Sequence, residues 1–265
     1  MNVNFTPSAP DAFVTDTGPF DLIGDVHGCA GELEALLHRL GYDVRYRGVA
    51  GARDYAIRHP EGRKPVLLGD LVDRGPRTPD VMRLAMHIVE SGQGYCVVGN
   101  HDDKFRRWLA GRKVSVTHGL EATIEQFERE PDHFHRQVAA FIDTLPSHLI
   151  LDGGDLVVAH AGLHADMHGE ETSRTRAFAM YGEVTGERDM HGLPVRRDWA
   201  RDYSGEATVV HGHVAEPEVR ERNNVVCIDT GCVFGGYLTA MRWPEREFVQ
   251  VPAQDAWFSS PKWSG

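Results

Sequence analysis

Short apolar runs that stop abruptly at glycine or at a polar residue recur along the chain. Phe20–Gly24, Pro65–Gly69, Tyr95–Gly99, Leu149–Leu151, Leu156–Ala159, Thr208–Val210, Val225–Ile228, Tyr237–Arg242 and Glu247–Val251 have the length and residue types of strands. Apolar residues at three- and four-residue spacing predict helices over Ala30–Leu40, Pro79–Glu90, Asp102–Leu109, Leu120–Glu128 and His133–Thr144. Strand and helix alternate through the first half, as in β-α-β units, and the second half is richer in strands. Two stretches break this scheme. Gly41–Arg63 reads as a hairpin excursion, and Leu163–Glu206, long and polar with scattered aromatics, reads as a cap over a site. Residues 1–17 read as a loose lead-in. No repeat or low-complexity linker divides the rest, so residues 18–255 are expected to form one domain with residues 163–206 inserted.

The polar residues that follow the strands carry the chemistry. "FDLIGDVHG" presents Asp25 and His27, "VLLGDLVDRGP" Asp70 and Asp73 with Arg74 beside them, and "CVVGNHDD" Asn100 and His101. "LVVAHAGL" presents His160, and "TVVHGHVAE" presents His211 and His213. Taken singly, an Asp after a strand-ending Gly is an ordinary helix N-cap, and a lone buried His is a hydrogen-bonded core residue. Asp102 and Asp103 keep the capping reading. Five such ends are different, because ligands in open α/β sheets collect beyond the carboxyl ends of strands. The glycines at 24, 28, 69, 75, 99, 162 and 212 fit tight turns, often at positive φ, that would aim the side chains at a common point.

The converging donors are nitrogen and oxygen with no thiolate, which suits Mn, Fe, Ni or Zn in a catalytic site. Six candidates, Asp25, His27, Asp70, Asn100, His160 and His213, exceed what one ion with open positions uses. Two ions are therefore expected, shared through a bridging carboxylate that Asp70 could supply. His211 could be a ligand or line the pocket. Two divalent ions outweigh the charges of Asp25 and Asp70, so the site would stay positive and suit a phosphate group. Paired ions also activate water and stabilise attacking and leaving oxygens, so hydrolysis of a phosphate ester or anhydride follows.

Composition narrows the setting. The 265 residues are 41% hydrophobic and 25% charged, ordinary for a globular chain. No apolar run approaches the roughly 20 residues that span a membrane. The N-terminal stretch has neither the basic nor the apolar region of a secretory signal. A net charge of −11 argues against an extended nucleic-acid track, though a local positive site or an RNA end remains open. The four cysteines form no C-x-x-C pair and read as core filling in a reduced, cytoplasmic chain. No kinase P-loop is present.

"GDVHG", "GDLVDRGP", "GNHD", "AHAGL" and "GH", in this order over about residues 20–235, closely resemble the calcineurin-like metallophosphoesterase superfamily, and "DRG" points to its PPP-type branch. "THGLEAT", "YGEVTGE", "GLPVRRDWA" and "IDTGCVFGGYLTAMRWPE" are similar to the bacterial PrpE-type diadenosine tetraphosphate hydrolases and to the phosphatase module of bacterial polynucleotide kinase-phosphatases. The resemblance implies an α/β fold, a four-layer α-β-β-α sandwich of two mixed sheets. It implies Asp25 and His27 on one metal, Asp70 bridging, and Asn100, His160 and His213 on the other, with Mn the favoured ion. His101 would be the general acid, Asp73 its orienting carboxylate, Arg74 the phosphate grip, and Asp229 an outer partner of a metal-bound histidine. The chain departs from the family where Val214-Ala215 replaces the usual Thr-Pro, and where His211 adds a histidine.

Between Arg174 and Tyr203 stand six arginines and five acids, either a solvated salt-bridged surface or a source of substrate contacts. Arg197 is the candidate for a second phosphate clamp. Tyr181 and Trp199 could stack on a base or simply pack. The expected substrate is a dinucleoside polyphosphate, with phosphomonoester activity. The alternatives are a phosphoprotein or RNA-end substrate with the same chemistry, or a metal-bearing scaffold without activity.

Overall fold

In the computed structural model, residues 14–188, 194–259 and 263 are described. The strands are β1 (Phe20–Ile23), β2 (Asp43–Arg47), β3 (Asp54–Arg58), β4 (Lys64–Leu67), β5 (Tyr95–Cys96), β6 (His148–Leu151), β7 (Leu156–Ala159), β8 (Val184–Arg188), β9 (Pro194–Arg196), β10 (Thr208–His211), β11 (Arg220–Arg222), β12 (Val225–Cys227), β13 (Tyr237–Trp243) and β14 (Glu247–Pro252). The helices are α1 (Ala30–Leu40), α2 (Thr78–Glu90), α3 (Asn100–Leu109), α4 (Leu120–Phe127), α5 (Asp132–Thr144) and α6 (Ser173–Tyr181).

Two five-stranded mixed sheets carry the fold, in the orders β14-β13-β1-β4-β5 and β11-β12-β10-β7-β6. Alternation along the strands decides what meets what. Phe20 and Leu22 of β1, Val66 of β4, Met241 of β13, Leu149 of β6, Val158 of β7 and Val210 of β10 form one buried cluster, so the sheets pack face to face. Ile23, Leu67 and Ala240 point the other way and join Leu33, Val81, Phe105, Phe127 and Val138, one from each of α1 to α5. Ile150, Val157, Val209 and Val225, on the far face of the second sheet, lie against Trp199, Tyr203 and Phe178. The α-β-β-α order expected from the resemblance is present. Its outer layer on the second sheet is thin, being made of α6 and short 3-10 turns.

That outer layer is the Leu163–Glu206 segment. It covers the second sheet as well as bordering the site, and it contains the β8–β9 hairpin, whose turn lies outside the described residues. Three further differences have local causes. β5 leaves the ladder after Cys96, though Val97 N–H still donates to Leu67 O at 3.0 Å. α3 begins at Asn100 rather than Asp102, because Asp102 caps it, accepting from Gly99 N–H at 2.9 Å. Of the lead-in, residues 1–13 lie outside the description, but Val14 N–H donates to Ile150 O at 2.9 Å and Asp16 takes Lys64, Tyr95 and the Gly18 N–H. Residues 14–17 are thus tied to both sheets. The hairpin expected within residues 41–63 is β2–β3.

Candidate metal-binding active site

Each sheet contains three consecutive parallel strands, β1, β4 and β5 in one and β7, β10 and β12 in the other. Their six carboxyl ends lead into Asp25, Asp70, Asn100, His160, His213 and Asp229. The antiparallel strands that flank them deliver none of these. Cross-sheet contacts close the ends together: His160 Nδ1–H donates to Leu68 O at 2.9 Å, and His213 N–H to the Asp25 carboxylate at 3.1 Å.

The turns are unusual in which residues bear the left-handed conformation. His27 (φ 44°), Asp70 (47°), Asp73 (73°), Arg74 (71°) and His213 (70°) all occupy it. Each costs on the order of 1–3 kcal/mol for a non-glycine residue. Backbone bonds hold them there, His27 N–H to Asp70 O at 2.8 Å and Arg74 N–H to Gly119 O at 3.0 Å. Of the strand-end glycines, several serve space rather than φ. A Cβ on Gly212 would lie 1.9 Å from Asp25 Oδ1, and one on Gly99 2.2 Å from Asp70 Oδ1.

Two trios of donors share one carboxylate. His27, Asp70 and His101 form one, and Asp70, His160 and His213 the other, each with donor atoms within 4.8 Å of one another. Around His160 Nε2 converge Asn100 Oδ1 at 3.1 Å, His213 Nδ1 at 3.0 Å and Asp70 Oδ2 at 3.3 Å. One N–H cannot serve three acceptors well, whereas one cation can. Asp25 sits slightly apart, with Oδ1 3.9 Å from His160 Nδ1. Among the described residues a third trio, Cys29, Glu32 and Cys232, is buried beside α1, and its thiols are free.

The electrostatics are those of a cation site that other positive charges fill. Burial works against charge on His160, yet Asp70 and Asp25 carry its pKa up to about 10. Burial likewise works against the Asp70 carboxylate, but His160 and His101 hold it well below the usual range. Burial and the Asp229 charge push Asp25 well up. Burial and Arg74 keep His27 well below its ordinary value, and burial, with His160 and Arg196, does the same for His213. Arg74 reaches His27 Nε2 at 2.7 Å and His101 Nε2 at 3.0 Å, setting a guanidinium within the first trio. The neutral His27 and His213, the clustered carboxylates and a buried His213 Nε2 that has no partner among the described residues fit divalent cations.

His101 is the member of the first trio that a second carboxylate holds. Its Nδ1–H donates to Asp73 Oδ2 at 2.6 Å, which leaves Nε2 toward the site. Asp73 is fully buried, and its N–H donates to Thr123 Oγ1 at 2.8 Å. The other expected site residues divide. Among the described residues Asp229 makes no hydrogen bond to a histidine ring: its Oδ1 accepts from Gly231 N–H at 3.0 Å. The partners that orient the histidines are backbone carbonyls instead, Val72 O for His27 at 2.8 Å and Leu68 O for His160. Such partners leave no trace in residue identity.

His211 is buried, donates from Nδ1 to Gly212 O at 2.9 Å, and stands outside both trios. Trp199 is 6% exposed and packs on His164, Phe178, Tyr203 and His211, with part of its surface lining a cavity beside Arg196 and Arg197. Tyr181 is 40% exposed and stays available. Arg197 turns to Glu183 at 3.2 Å with its side chain 65% exposed. Its neighbour Arg196, which sequence reasoning passed over, is the one whose charge is felt at His213 and by Asp70. Both line a cavity of about 160 Å³ that includes His211, His213 and Arg220.

A family profile described as calcineurin-like phosphoesterase matches residues 18–217. The chain is 44% identical over 238 residues to the bis(5'-nucleosyl)-tetraphosphatase PrpE [asymmetrical] of Anoxybacillus flavithermus, covering 88% of this chain and 94% of that protein. The enzyme of the same name from Bacillus subtilis gives the same values. A crystal structure of a provisional diadenosine tetraphosphatase superposes with a TM-score of 0.64 at 25% identity, covering 92% of this chain and 97% of that one. A Saccharomyces cerevisiae serine/threonine phosphatase shares the fold at a TM-score of 0.59 and 13% identity. With the family match spanning most of the chain and the paired donor trios at the ends of its parallel strands, the protein belongs to the calcineurin-like phosphoesterase family.

Proposed function

We propose that this chain is a cytoplasmic hydrolase that binds two divalent ions, preferably Mn, and cleaves dinucleoside polyphosphates asymmetrically, with residues 18–255 acting as one catalytic domain. The observation that carries the reading is the pair of donor trios sharing Asp70, with Asp73 holding His101 and Arg74 reaching the first trio. Asp25 and His27 would hold one ion, Asn100, His160 and His213 the other, and Asp70 both. When bound, the ions would supply positive charge that withdraws electron density from the phosphoryl oxygens.

The chain's own groups do the rest. Arg74 grips non-bridging oxygens with its forked N–H groups. Water adds to phosphorus, giving up a proton to solvent, as the bond to the leaving oxygen breaks. The proton on His101 Nε2 passes to that oxygen, and Asp73 stabilises and orients the imidazolium beforehand. Arg196 takes the second-clamp role expected of Arg197, and Tyr181 remains a candidate for contact with a base. The substrate preference is supported by the names of relatives that share 44% of aligned residues.

The test compares kcat/KM of the Mn-loaded protein for diadenosine tetraphosphate, a phosphoserine peptide and an RNA 3′-phosphate, with products separated by chromatography. ATP plus AMP from the first, at the highest kcat/KM, is expected. Two ADP, or a preference for the peptide or the RNA end, would overturn the substrate assignment. No hydrolysis of any of them or of p-nitrophenyl phosphate, with any divalent metal, would favour the scaffold.

A further inference from the structure

The Arg74 guanidinium holds no carboxylate among the described residues. Its N–H groups reach His27 Nε2, His101 Nε2 and, at 3.4 Å, His118 O. What lies over it is aromatic. Its Cζ is 5.2 Å from the Phe234 ring centroid and 5.7 Å from that of Phe258. Phe234 closes the short turn Cys232–Phe234 after β12, whereas Phe258 follows β14. Phe258 N–H donates to Val233 O at 3.0 Å, which fastens the C-terminal segment onto that turn. Trp263 stacks on Phe234, with centroids 5.8 Å apart and planes at 22°. It lies against Gly231, where a Cβ would sit 2.3 Å from its indole. All three rings lie beyond residue 217, where the family match ends.

The choice of rings has a physical consequence. A carboxylate beside Arg74 would take its forked donors and cancel its charge. A ring face attracts the cation through its quadrupole and uses none of the N–H groups. The guanidinium is steadied while its donors and its charge stay available to an anion. We infer that Phe234 and Phe258 are positioning residues that hold Arg74 ready for a phosphate group, with Trp263 backing Phe234. This rests on the reading of Arg74 as the phosphate grip.

Leucine at either position keeps the apolar contact and removes the quadrupole, and tyrosine keeps both. The probe is orthophosphate, titrated calorimetrically into the Mn-loaded wild type, Phe234→Leu, Phe258→Leu and Phe258→Tyr, with bound metal and p-nitrophenyl phosphate turnover measured separately. The Kd for orthophosphate should rise about 3- to 10-fold in each leucine variant, as expected for a partly desolvated cation–π contact. It should stay near the wild-type value in Phe258→Tyr, and bound metal should be unchanged in all. Equal affinity in all four proteins overturns the inference, as does a loss shared by Phe258→Tyr or one that tracks loss of metal. A wild type that binds no orthophosphate overturns it too. A wild type that binds orthophosphate yet hydrolyses nothing sinks the hydrolase reading and leaves this one standing.

Discussion

At the scale of single residues, the site is a set of opposed charges whose partners were chosen by position. Asp70 illustrates this. It accepts from His101 N–H at 3.0 Å while its other oxygen faces His160 at 3.3 Å and His27 at 3.6 Å, so one carboxylate serves both donor trios. His101 is the residue whose removal says most about chemistry. His101→Ala should lower kcat about 10²- to 10⁴-fold for an alkyl phosphate, whose leaving oxygen needs a proton. For p-nitrophenyl phosphate or a polyphosphate anhydride, with good leaving groups, the loss should be much smaller. A steady-state comparison of the three substrates checks this, and equal losses would remove the general-acid role. The residue types gathered at the donor trios were legible in the sequence, because Asp, His and Asn at successive strand ends have little other reason to recur. Arg196 was not, since adjacent arginines in "RRDWA" cannot be told apart until the backbone decides which one faces the site.

At the scale of elements, the informative unit is the strand with its turn. Long apolar runs and amphipathic helices declare themselves, and α1, α2 and β13 fall within about a residue of their expected bounds. α6 did not declare itself. "SRTRAFAMY" has no apolar stripe, and its start is set by Thr172 Oγ1 accepting Thr175 N–H at 3.1 Å. β11, "RER", is a charged edge strand that exists because β12 pairs with it. The strand-end glycines were expected to supply left-handed turns. Gly28, Gly69 and Gly162 do so, but His27, Asp70 and His213 also take that conformation, and glycines such as Gly212 leave room for the carboxylates. Gly212→Ala therefore tests the element. Its methyl would displace Asp25 from the His213 N–H, and metal affinity should fall about 10- to 100-fold, the scale seen when a ligand's support is lost. Calorimetric metal titration with a circular-dichroism control reads it, and undiminished affinity would contradict the placement of Asp25.

At the scale of the whole molecule, the two sheets and their outer layers must stay registered for six strand ends to meet. The outer layer on the second sheet is tied in part through His148, whose Nε2 accepts Gly169 N–H at 3.1 Å. Burial, aided by the neighbouring His168, lowers its pKa to about 4. The unfolded chain takes this proton near pH 6.5 and the folded chain does not until about 4, so stability falls as pH drops between those values. The stability gap between wild type and His148→Gln, from urea unfolding, should therefore narrow by up to about 3 kcal/mol from pH 7 to pH 4. A gap that does not change with pH would refute the assignment. Other buried groups such as Asp25 and His160 carry raised values and act in the opposite sense, which is why the paired difference is the proper readout. Residue identity alone determined the strand-and-helix alternation, the metal-capable ends and the family, because apolar period and ligand type are local properties of a chain. Tertiary structure alone decided that backbone carbonyls orient the histidines, that Trp199 is buried and that Phe234 and Phe258 flank Arg74. Those facts depend on distances between segments far apart in the chain, and no local pattern encodes a distance.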